Sequence, residues 1–326
     1  MNKIVIDTKG GDNGASVMIK GAALALEKFP QLGVVLVGDE EAIRKECLAL
    51  NLPQNRVEIY NAEEEITNYD SPAEALYQKA NSSMLVGLQT LSQREDLCGI
   101  ITAGNTGVLL AGSMRYLSGA ERVRPALAAL LPAQNGTFTC LVDTGATVDC
   151  TPAMLRHFAH LGSSFMTQSY GIERPKVGLL SNGAEATKGN KLVKEAHALL
   201  AEDEQLNFVG NIEGNVALSG ACDVLVCDGF AGNQVLKVTE GTATRIITDV
   251  MKYAHKTQSK EILALGAHLM SIYDIGSLGG GIILGVTKPV IKTRGNAKET
   301  AVVNTAEMIL NIAEHKSVFD QSKNTL

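Results

Sequence analysis

Short apolar runs alternate with longer amphipathic segments along most of the chain. Each short run ends in a turn rich in glycine, asparagine or aspartate. The short runs predict buried strands, and the amphipathic segments predict helices. Strands that alternate with helices form a mostly parallel sheet with helices on both faces. We therefore predict an α/β fold, an α/β/α sandwich around a mostly parallel sheet.

The same pattern places the individual elements. It predicts strands at residues 3–7, 34–37, 57–60, 98–102, 126–131, 138–142, 177–180, 207–209 and 224–227, and a hairpin over 282–291. It predicts two helices within 72–93, helices that end near 117 and 201, and helices over 16–29, 40–50, 152–169, 234–253, 261–273 and 298–315. Ser16 and Ser71 are predicted N-caps. No internal repeat or clear linker interrupts the chain, so we expect residues 1–326 to form one two-lobed domain, with a helical segment projecting around 240–280.

Composition narrows the class of protein. The net charge of −6, the 4% of aromatic residues and the lack of tryptophan give no reason to expect nucleic-acid binding. The chain reaches its first strand almost at once, without a basic segment followed by an apolar run. No apolar stretch is long enough to span a bilayer. We therefore expect a cytoplasmic protein.

Metal and cofactor motifs are not evident. The six cysteines lack zinc-type spacing, and the six histidines fall in helical patterns rather than at strand ends. Asp223, Asp228 and Asp249 could in principle hold Mg²⁺, but we expect Asp223 before a strand and Asp249 within a helix. No G-x-G-x-x-G, Walker or G-x-S-x-G motif follows a predicted strand. The sequence therefore predicts neither a metal nor a cofactor.

The stretch from Asp223 to Asn233 combines an apolar strand, an Asp-Gly break and a helical pattern that starts at Gln234. Ligands of open parallel sheets bind where such strands end. Gly229 and Gly232 would let backbone approach a ligand, and the N–H groups of a helix start favour an anion.

Five predicted strand-end loops share this composition. They contain Gly10-Gly11-Asp12, Gly104-Asn105-Thr106-Gly107, Asp143-Thr144-Gly145, Lys188-Gly189-Asn190 and Asp228-Gly229-Phe230-Ala231-Gly232-Asn233. In a parallel sheet they leave the same edge, so we predict that they line one cleft. Backbone N–H groups, amides, hydroxyls and one lysine suit an oxyanion such as phosphate. Ordinary turns use the same residue types, so a purely structural role stays open for each loop.

The segment from Arg245 to Lys260 is locally basic and leads into an amphipathic helix. It has two interpretations. The helix pair could pack on the domain or on a second subunit, or it could form a docking surface for an acidic partner or a membrane.

Ten motifs, taken in order, resemble those of the bacterial phosphate acyltransferases of phospholipid synthesis. They are Asp7 with Gly10-Gly11-Asp12, Lys79 with Asn81-Ser82-Ser83-Met84, Ala103 to Gly107, Arg124 to Leu127, Asp143 with Gly145-Ala146, Val177 to Leu180, Gly183 with Glu185 and Lys188-Gly189-Asn190, Gly210-Asn211 with Glu213-Gly214, Asp228-Gly229-Phe230 with Gly232-Asn233, and Pro289 to Lys292. This family transfers a fatty acyl group from acyl carrier protein to inorganic phosphate and releases acyl phosphate. The chain departs from the family pattern at Lys9, Thr147, Ser181-Asn182, Asn215 and Arg294, which puts any substrate contact at those positions in doubt.

The resemblance implies a fold like those of isocitrate and isopropylmalate dehydrogenases and of phosphotransacetylase. It also implies a homodimer without a metal, a cytoplasmic enzyme that can sit peripherally on the membrane, and a downstream glycerol-3-phosphate acyltransferase that consumes the product.

The predicted roles follow from the needs of this reaction. Lys188 binds phosphate charge, Asn233 or a backbone N–H beside Gly232 donates to the oxyanion, and Asp228 orients these donors or accepts a phosphate proton. The remaining predicted substrate-binding residues are Gly10, Gly11, Asp12, Asn81, Ser82, Gly104, Asn105, Thr106, Gly107, Asp143, Gly189, Asn190, Gly229 and Gly232. Three alternatives stay open: a phosphotransacetylase-like enzyme that uses acyl coenzyme A, a metal-dependent NAD dehydrogenase, and a non-catalytic anion-binding module.

Overall fold

The computed structural model describes residues 2–119, 123–134, 136–274 and 280–314. The fold is α/β, as predicted. The chain divides into two compact units, the first formed by Met1–Pro125 with Gly279–Leu326 and the second by Ala126–Leu278.

Strands and helices alternate through most of the chain. The strands are β1 (Asn2–Asp7), β2 (Leu32–Gly38), β3 (Val57–Asn61), β4 (Leu97–Thr102), β5 (Ala126–Pro132), β6 (Phe138–Val142), β7 (Lys176–Ser181), β8 (Asn207–Glu213), β9 (Val224–Val226), β10 (Gly281–Leu284) and β11 (Val290–Lys292). The helices are α1 (Gly14–Lys28), α2 (Glu40–Ala49), α3 (Pro72–Gln78), α4 (Ser83–Gln93), α5 (Thr106–Tyr116), α6 (Pro152–Tyr170), α7 (Lys191–Ala201), α8 (Gly229–Thr257), α9 (Lys260–Tyr273) and α10 (Glu299–Glu314). The predicted elements are all present, with shifted ends at several of them.

In the first unit the strand order is β3-β2-β1-β4-β11-β10. Neighbours pair in parallel, except that β10 and β11 form an antiparallel hairpin. Side chains alternate between the faces of a strand, yet Ile4, Val5 and Ile6 of β1 are all buried. Both faces of this sheet are therefore covered, which is the arrangement that parallel sheets require.

In the second unit the order is β5-β6-β9-β7-β8, and only β5 and β6 pair in antiparallel fashion. Helix α6 packs on β9 through Gly162, where an added Cβ would lie 2.5 Å from Val224 Cγ1. The edge strand β8 is irregular: its register with β7 shifts at Gly178, and Gly210 has a φ of 94°.

Three element ends differ from the prediction. Helix α8 begins at Gly229 rather than near Gln234, because a first turn tolerates glycines that lower helix propensity. Strand β8 continues to Glu213, well past the predicted end at Val209. Ser16 is not an N-cap, since α1 begins at Gly14 and the Ser16 hydroxyl donates to a carboxylate oxygen of Glu46 instead.

Two other boundary predictions concern the end of the last helix and the cap of α3. The last helix was predicted to reach His315, and its described part ends at Glu314, so the final residue lies outside the described range. Ser71 does precede α3, with Pro72 in its first turn, but the Ser71 side chain makes no capping hydrogen bond.

Helices α8 and α9 pack chiefly on each other. Along the 29 residues of α8 only Gly229, Gly232, Ile247 and Ala254 are buried, and in α9 only Gly266 is. No helix among the described residues is long and apolar enough to cross a membrane.

Leu88→Ala should lower the free energy of unfolding by about 2–5 kcal/mol, because Leu88 of α4 is fully buried and truncation leaves a cavity. The matched control is Leu48→Ala on α2, where the side chain is 67% exposed and the change should stay within about 0.5 kcal/mol. Denaturant unfolding measures both variants. Equal effects of the two substitutions would contradict the described core.

Candidate active site

Three loops of the second unit leave its sheet at one edge. They follow β6, β9 and β7, which are parallel neighbours, so their carboxyl ends lie side by side. Asp143, Asp228 and Lys188 lie in these loops, as the sequence predicted. The carboxyl edge of a parallel sheet is the usual position of a ligand.

Asp143 holds the loop after β6 in place. The side chain is fully buried. Its carboxylate accepts four backbone N–H bonds, from Leu127 at 2.9 Å, Gly145 at 3.3 Å, Ala146 at 3.1 Å and Thr147 at 2.7 Å. Burial raises the pKa of Asp143, and the four donors oppose that rise. These four bonds shape the loop after β6. That Asp143 also binds substrate stays a prediction.

The glycines at the start of α8 serve close packing against that loop. An added Cβ at Gly232 would overlap the carbonyl oxygen of Asp143, and one at Gly229 would lie 2.7 Å from the carbonyl oxygen of Thr147. Both glycines are buried. The close backbone approach that both glycines allow in this structure is to the β6 loop. That they also let backbone approach a ligand stays a prediction.

The first turn of α8 retains one open backbone donor. Gly229 donates to the Thr147 carbonyl at 2.8 Å, Ala231 to Oδ1 of Asp228 at 2.8 Å, and the next N–H to the Asp228 carbonyl. The N–H of Phe230 has no hydrogen-bond partner among the residues described. A helix start with an open N–H is a site for negative charge.

Asn233 lies in the same turn. Its Nδ2 donates to the carbonyl of Thr144 at 3.2 Å, which leaves its second N–H for another acceptor. The backbone N–H of Gly232 itself is bound to the Asp228 carbonyl at 2.9 Å. That a backbone N–H beside Gly232 donates to the oxyanion stays a prediction.

The loop that carries Lys188 is fixed by its own hydrogen bonds. Gly189 has a φ of 98° and donates to Oδ1 of Asn182 at 2.9 Å. Asn211 Nδ2 donates to the carbonyl of Glu185 at 2.8 Å. The Lys188 side chain is exposed, and in the described part of the chain its ammonium group has no hydrogen-bond or ion-pair partner. A fixed loop thus presents an unpaired cation.

Sequence reasoning missed two contributors to this loop. The Ser181 hydroxyl is buried beside Gly189 and has no partner among the described residues. Asn211 reaches the loop from β8, and its Oδ1 lies 3.0 Å from Nδ1 of His197. Motif order could not show either position: Asn211 reaches the loop from another strand, and the chain turns back after Ser181 to bring Gly189 beside it. Asn190 has a structural role, since its Oδ1 caps α7 by accepting from Val193 at 2.9 Å.

The first unit has its own buried carboxylate at a strand end. Asp7 accepts from Ser83 Oγ at 2.5 Å, Thr102 Oγ1 at 2.6 Å and the Lys9 N–H at 3.1 Å. Thr102 Oγ1 in turn accepts from the N–H of Gly104 at 3.1 Å. Burial raises the pKa of Asp7. This carboxyl group therefore ties β1, α4 and the loop after β4 together.

The loops after β1 and β4 contact each other closely. An added Cβ at Gly10 would lie 2.7 Å from the Gly104 nitrogen, and one at Gly11 would lie 3.3 Å from the Gly295 carbonyl oxygen. The Asp12 N–H donates to the same Gly295 oxygen at 2.8 Å, while the Asp12 residue is exposed. The two predicted loops of this unit are thus brought together.

Asn105 is used for structure. Its Oδ1 caps α5 by accepting from Val108 at 3.1 Å, and its Nδ2 donates to the carbonyls of Thr67 and Asp70 at 3.1 and 3.3 Å. The amide holds α5 and the segment from Thr67 to Asp70 together through these contacts. That Asn105 also binds substrate stays a prediction.

The other predicted residues near this edge differ in exposure. Asn81 is exposed, and its N–H donates to Glu64 Oε2 at 2.8 Å. Ser82 is fully buried at the start of α4, and its hydroxyl has no partner within the described ranges. Thr106 and Gly107 are partly buried in the first turn of α5.

The two edges differ in charge. In the first unit Lys9 Nζ is bound to the Glu63 carbonyl at 2.9 Å, and Lys79 Nζ to Asp70 at 2.6 Å, while Asp12 is exposed. Its cations are therefore committed and its exposed groups are acidic. The edge of the second unit, with an unpaired ammonium and an open helix start, is the better oxyanion site.

Each unit thus gathers its predicted loops at one sheet edge, two in the first and three in the second. That all five line one cleft stays a prediction.

A cavity of ≈ 670 Å³ in the first unit is lined by Leu24, Leu52 and Arg56 among others, and none of the predicted site residues lines it.

Histidines and cysteines have other positions. His157, His160, His197, His255 and His268 lie within helices, and His315 lies outside the described residues. The six cysteines, all of them among the described residues, form no disulfide bond with one another. Groups of three or more His, Cys, Asp or Glu that could hold a metal do not occur in the described ranges.

Solved structures with a similar fold include two phosphotransacetylases. The enzyme from Streptococcus pyogenes gives a TM-score of 0.63 at 16% identity, covering 97% of this chain and 94% of its own. EutD phosphotransacetylase from Staphylococcus aureus gives 0.62 at 17% identity, covering 96% and 94%. At such low identity the likeness shows the fold alone. The chain is therefore an α/β protein with the fold of the phosphotransacetylases.

Sequence comparison is more specific. The family described as fatty acid synthesis protein matches residues 2–317. The phosphate acyltransferase of Halothermothrix orenii is 40% identical, covering 93% of this chain and 92% of the relative; that of Brevibacillus brevis is 38% identical, covering 99% and 98%. The chain belongs to the fatty acid synthesis protein family, among relatives that are phosphate acyltransferases. This confirms the predicted resemblance.

Gly232→Ala should destabilise the second unit and displace the start of α8, because the new Cβ overlaps the Asp143 carbonyl. Gly241→Ala on the same helix is the matched control, since its Cβ would meet no atom within 4 Å. That control should be neutral or up to about 1 kcal/mol more stable. Denaturant unfolding compares the two, and a neutral Gly232→Ala variant would contradict the described packing.

Proposed function

We propose that this protein is an acyltransferase that moves a long-chain fatty acyl group from acyl carrier protein to inorganic phosphate. The product is an acyl phosphate for phospholipid synthesis. The family and its phosphate acyltransferase relatives support acyl transfer to phosphate. The structural observation that carries the proposal is that the Lys188 ammonium, without a partner among the described residues, and the open start of α8 belong to loops that follow the neighbouring strands β7 and β9. Neighbouring strands lie only about 5 Å apart, so one oxyanion site can use both.

The reaction needs little catalytic machinery. Phosphate at neutral pH is already an anionic nucleophile, and a thioester is an activated acyl donor. The phosphate oxygen forms a bond to the carbonyl carbon, and the carbon–sulfur bond breaks. The carrier leaves as a thiolate, which becomes the thiol by taking up the proton that phosphate gives up. The protein must hold both groups in line and stabilise the oxyanion of the tetrahedral intermediate.

The roles of individual residues follow. Lys188 binds the phosphate charge. The Phe230 N–H and the second N–H of Asn233 donate to the oxyanion. Asp228 orients the helix start through Oδ1, and its Oδ2 accepts the remaining phosphate proton. No enzyme nucleophile, metal or cofactor takes part in this scheme.

We further propose a homodimer in which a second copy covers the α8–α9 hairpin. The hairpin exposes large apolar side chains, namely Val238, Ile246, Tyr253, Leu263, Leu265 and Met270. Apolar surface of this kind marks an interaction site, which favours the subunit-packing interpretation of the segment from Arg245 to Lys260.

The family resemblance supports a cytoplasmic location with peripheral membrane contact, and consumption of the product by a glycerol-3-phosphate acyltransferase.

A phosphotransacetylase-like enzyme that uses acyl coenzyme A is the second candidate, because the fold is similar to that of phosphotransacetylases. The donor distinguishes the two candidates. An NAD dehydrogenase would need a cluster of metal-binding aspartates, and the described residues offer none.

The deciding experiment is a turnover assay without added nucleotide or metal. Long-chain acyl carrier protein and orthophosphate are supplied, and hydroxylamine traps acyl phosphate as the hydroxamate. We expect phosphate-dependent hydroxamate with an equal release of carrier thiol. Product from acyl coenzyme A alone would favour the second candidate, and no product from either donor would reject acyl transfer.

Lys188→Ala should raise the KM for phosphate with little change in kcat, because the substitution removes a cation that contacts only the acceptor. Lys45→Ala on α2, also an exposed lysine, is the control. Initial rates over a range of phosphate concentrations measure both. Normal phosphate saturation in the Lys188 variant would remove the assignment.

Asn233→Ala should lower kcat on the order of a hundredfold, which is typical of a lost oxyanion donor. Gln234→Ala, an exposed neighbour on the same helix, should stay near the wild-type rate. Steady-state kinetics at saturating donor compare the variants. A rate within about twofold of wild type for Asn233→Ala would mean that another donor, such as Phe230, suffices.

A further inference from the structure

Three lysines surround the start of α7. Lys188 precedes the helix, Lys191 is its first residue, and Lys194 follows one turn later. Residues three apart on a helix lie on neighbouring turns of one face. Lys191 and Lys194 therefore form a basic face, here called the α7 lysine face, that begins next to the Lys188 loop.

These side chains are not engaged in strong ion pairs. The Lys191 side chain is 89% exposed, and its ammonium lies 3.8 Å from Glu195 Oε1. Lys194 is exposed and has no ion-pair partner within the described ranges. The α7 lysine face thus presents two solvated cations that the fold itself does not need.

The position of these lysines opposes the electrostatics of the helix. A helix start carries positive partial charge and favours acidic residues, yet the first turn of α7 contains none. The chain as a whole has a net charge of −6, so a group of three lysines at this position runs against the overall charge balance. Lysines at a helix start break this preference and bring no structural gain, which is typical of a functional surface.

Resting on the proposed function, we propose that the α7 lysine face is the docking surface for the acidic face of the protein that carries the acyl thioester. Helix α7 follows β7, so its start lies at the sheet edge that bears the proposed reaction site. A carrier docked on this face can extend its thioester toward the start of α8, which follows the neighbouring strand β9.

The surface fits a protein better than a membrane. Membrane-binding helices combine basic residues with large exposed apolar side chains. Within residues 182–201, all of them described, no large hydrophobic side chain is exposed. The lysines on the α8–α9 hairpin differ in this respect, since Lys252 and Lys256 flank the exposed Tyr253. The hairpin is therefore the rival surface that the experiment must include.

The test is the double variant Lys191→Glu with Lys194→Glu. At low salt the KM for the acyl carrier protein should rise on the order of tenfold, with kcat unchanged, because like charges oppose docking. The effect should shrink above about 0.1 M salt, as screening shortens the range of the interaction. A small neutral thioester, an S-acyl N-acetylcysteamine, should react with phosphate at the wild-type rate.

Lys20→Glu with Lys45→Glu, at two exposed lysines of the first unit, is the matched control with the same change in net charge, and it should leave the KM for the carrier protein unchanged. Lys252→Glu with Lys256→Glu tests the rival surface, and a rise of that KM in this variant alone would overturn the proposal. An equal rise in the α7 variant and in the matched control would point to a general charge effect and overturn it too. An unchanged KM in the α7 variant, or an equal loss with the small thioester, would overturn it as well.

Binding of the unacylated carrier protein, measured by titration calorimetry, separates docking from turnover. The α7 double variant should weaken binding by a similar factor, and undetectable binding to the wild type would reject this surface. Failure of wild-type turnover with every thioester donor would instead reject the proposed function. Acidic residues at the start of a helix are favourable, so the variant should remain folded.

Discussion

The buried carboxylate of Asp143 is the interaction on which the candidate site depends. Its four N–H bonds fix the loop after β6, and that loop contacts the glycines of the first turn of α8. The contact is so close that only glycine fits at Gly232. The start of α8, with the open N–H of Phe230, is therefore positioned by the carboxyl group of Asp143, which is buried from solvent. Asp7 does comparable work in the first unit, where hydroxyl groups replace most of the backbone donors.

Much of the fold could be predicted from the sequence, because parallel strands buried on both faces are near-continuous apolar runs. The runs at Val34 and Val177 allow no other interpretation. The ends of elements were harder to place. Gly229 and Gly232 reduce helix propensity, so the pattern suggested a later start for α8, although packing against the β6 loop makes these residues necessary there. Tertiary contact determined the boundary, and periodicity could not show it.

The candidate site was predicted in part. Glycine, asparagine and aspartate at strand ends showed where chemistry could lie, but not which side chains were free to take part. Asn105 and Asn190 are helix caps, and Asp143 is enclosed by donors, whereas Lys188 is unpaired. The distinction depends on hydrogen bonds between distant segments. Sequence reasoning assigned Asn211 and Ser181 no role for the same reason. Asn211 contacts a loop that follows a different strand, and Ser181 lies beside a loop that turns back over its own strand.

The irregularity of the edge strand β8 also protects the molecule during its lifetime in the cell. A straight edge strand offers a row of unpaired backbone groups on which another chain can grow as an added strand. The register shift opposite Gly178 and the positive φ of Gly210 interrupt that row in its middle. A regularised β8 would give neighbouring molecules a template for edge-to-edge aggregation, so the glycine that weakens the strand keeps the protein dispersed.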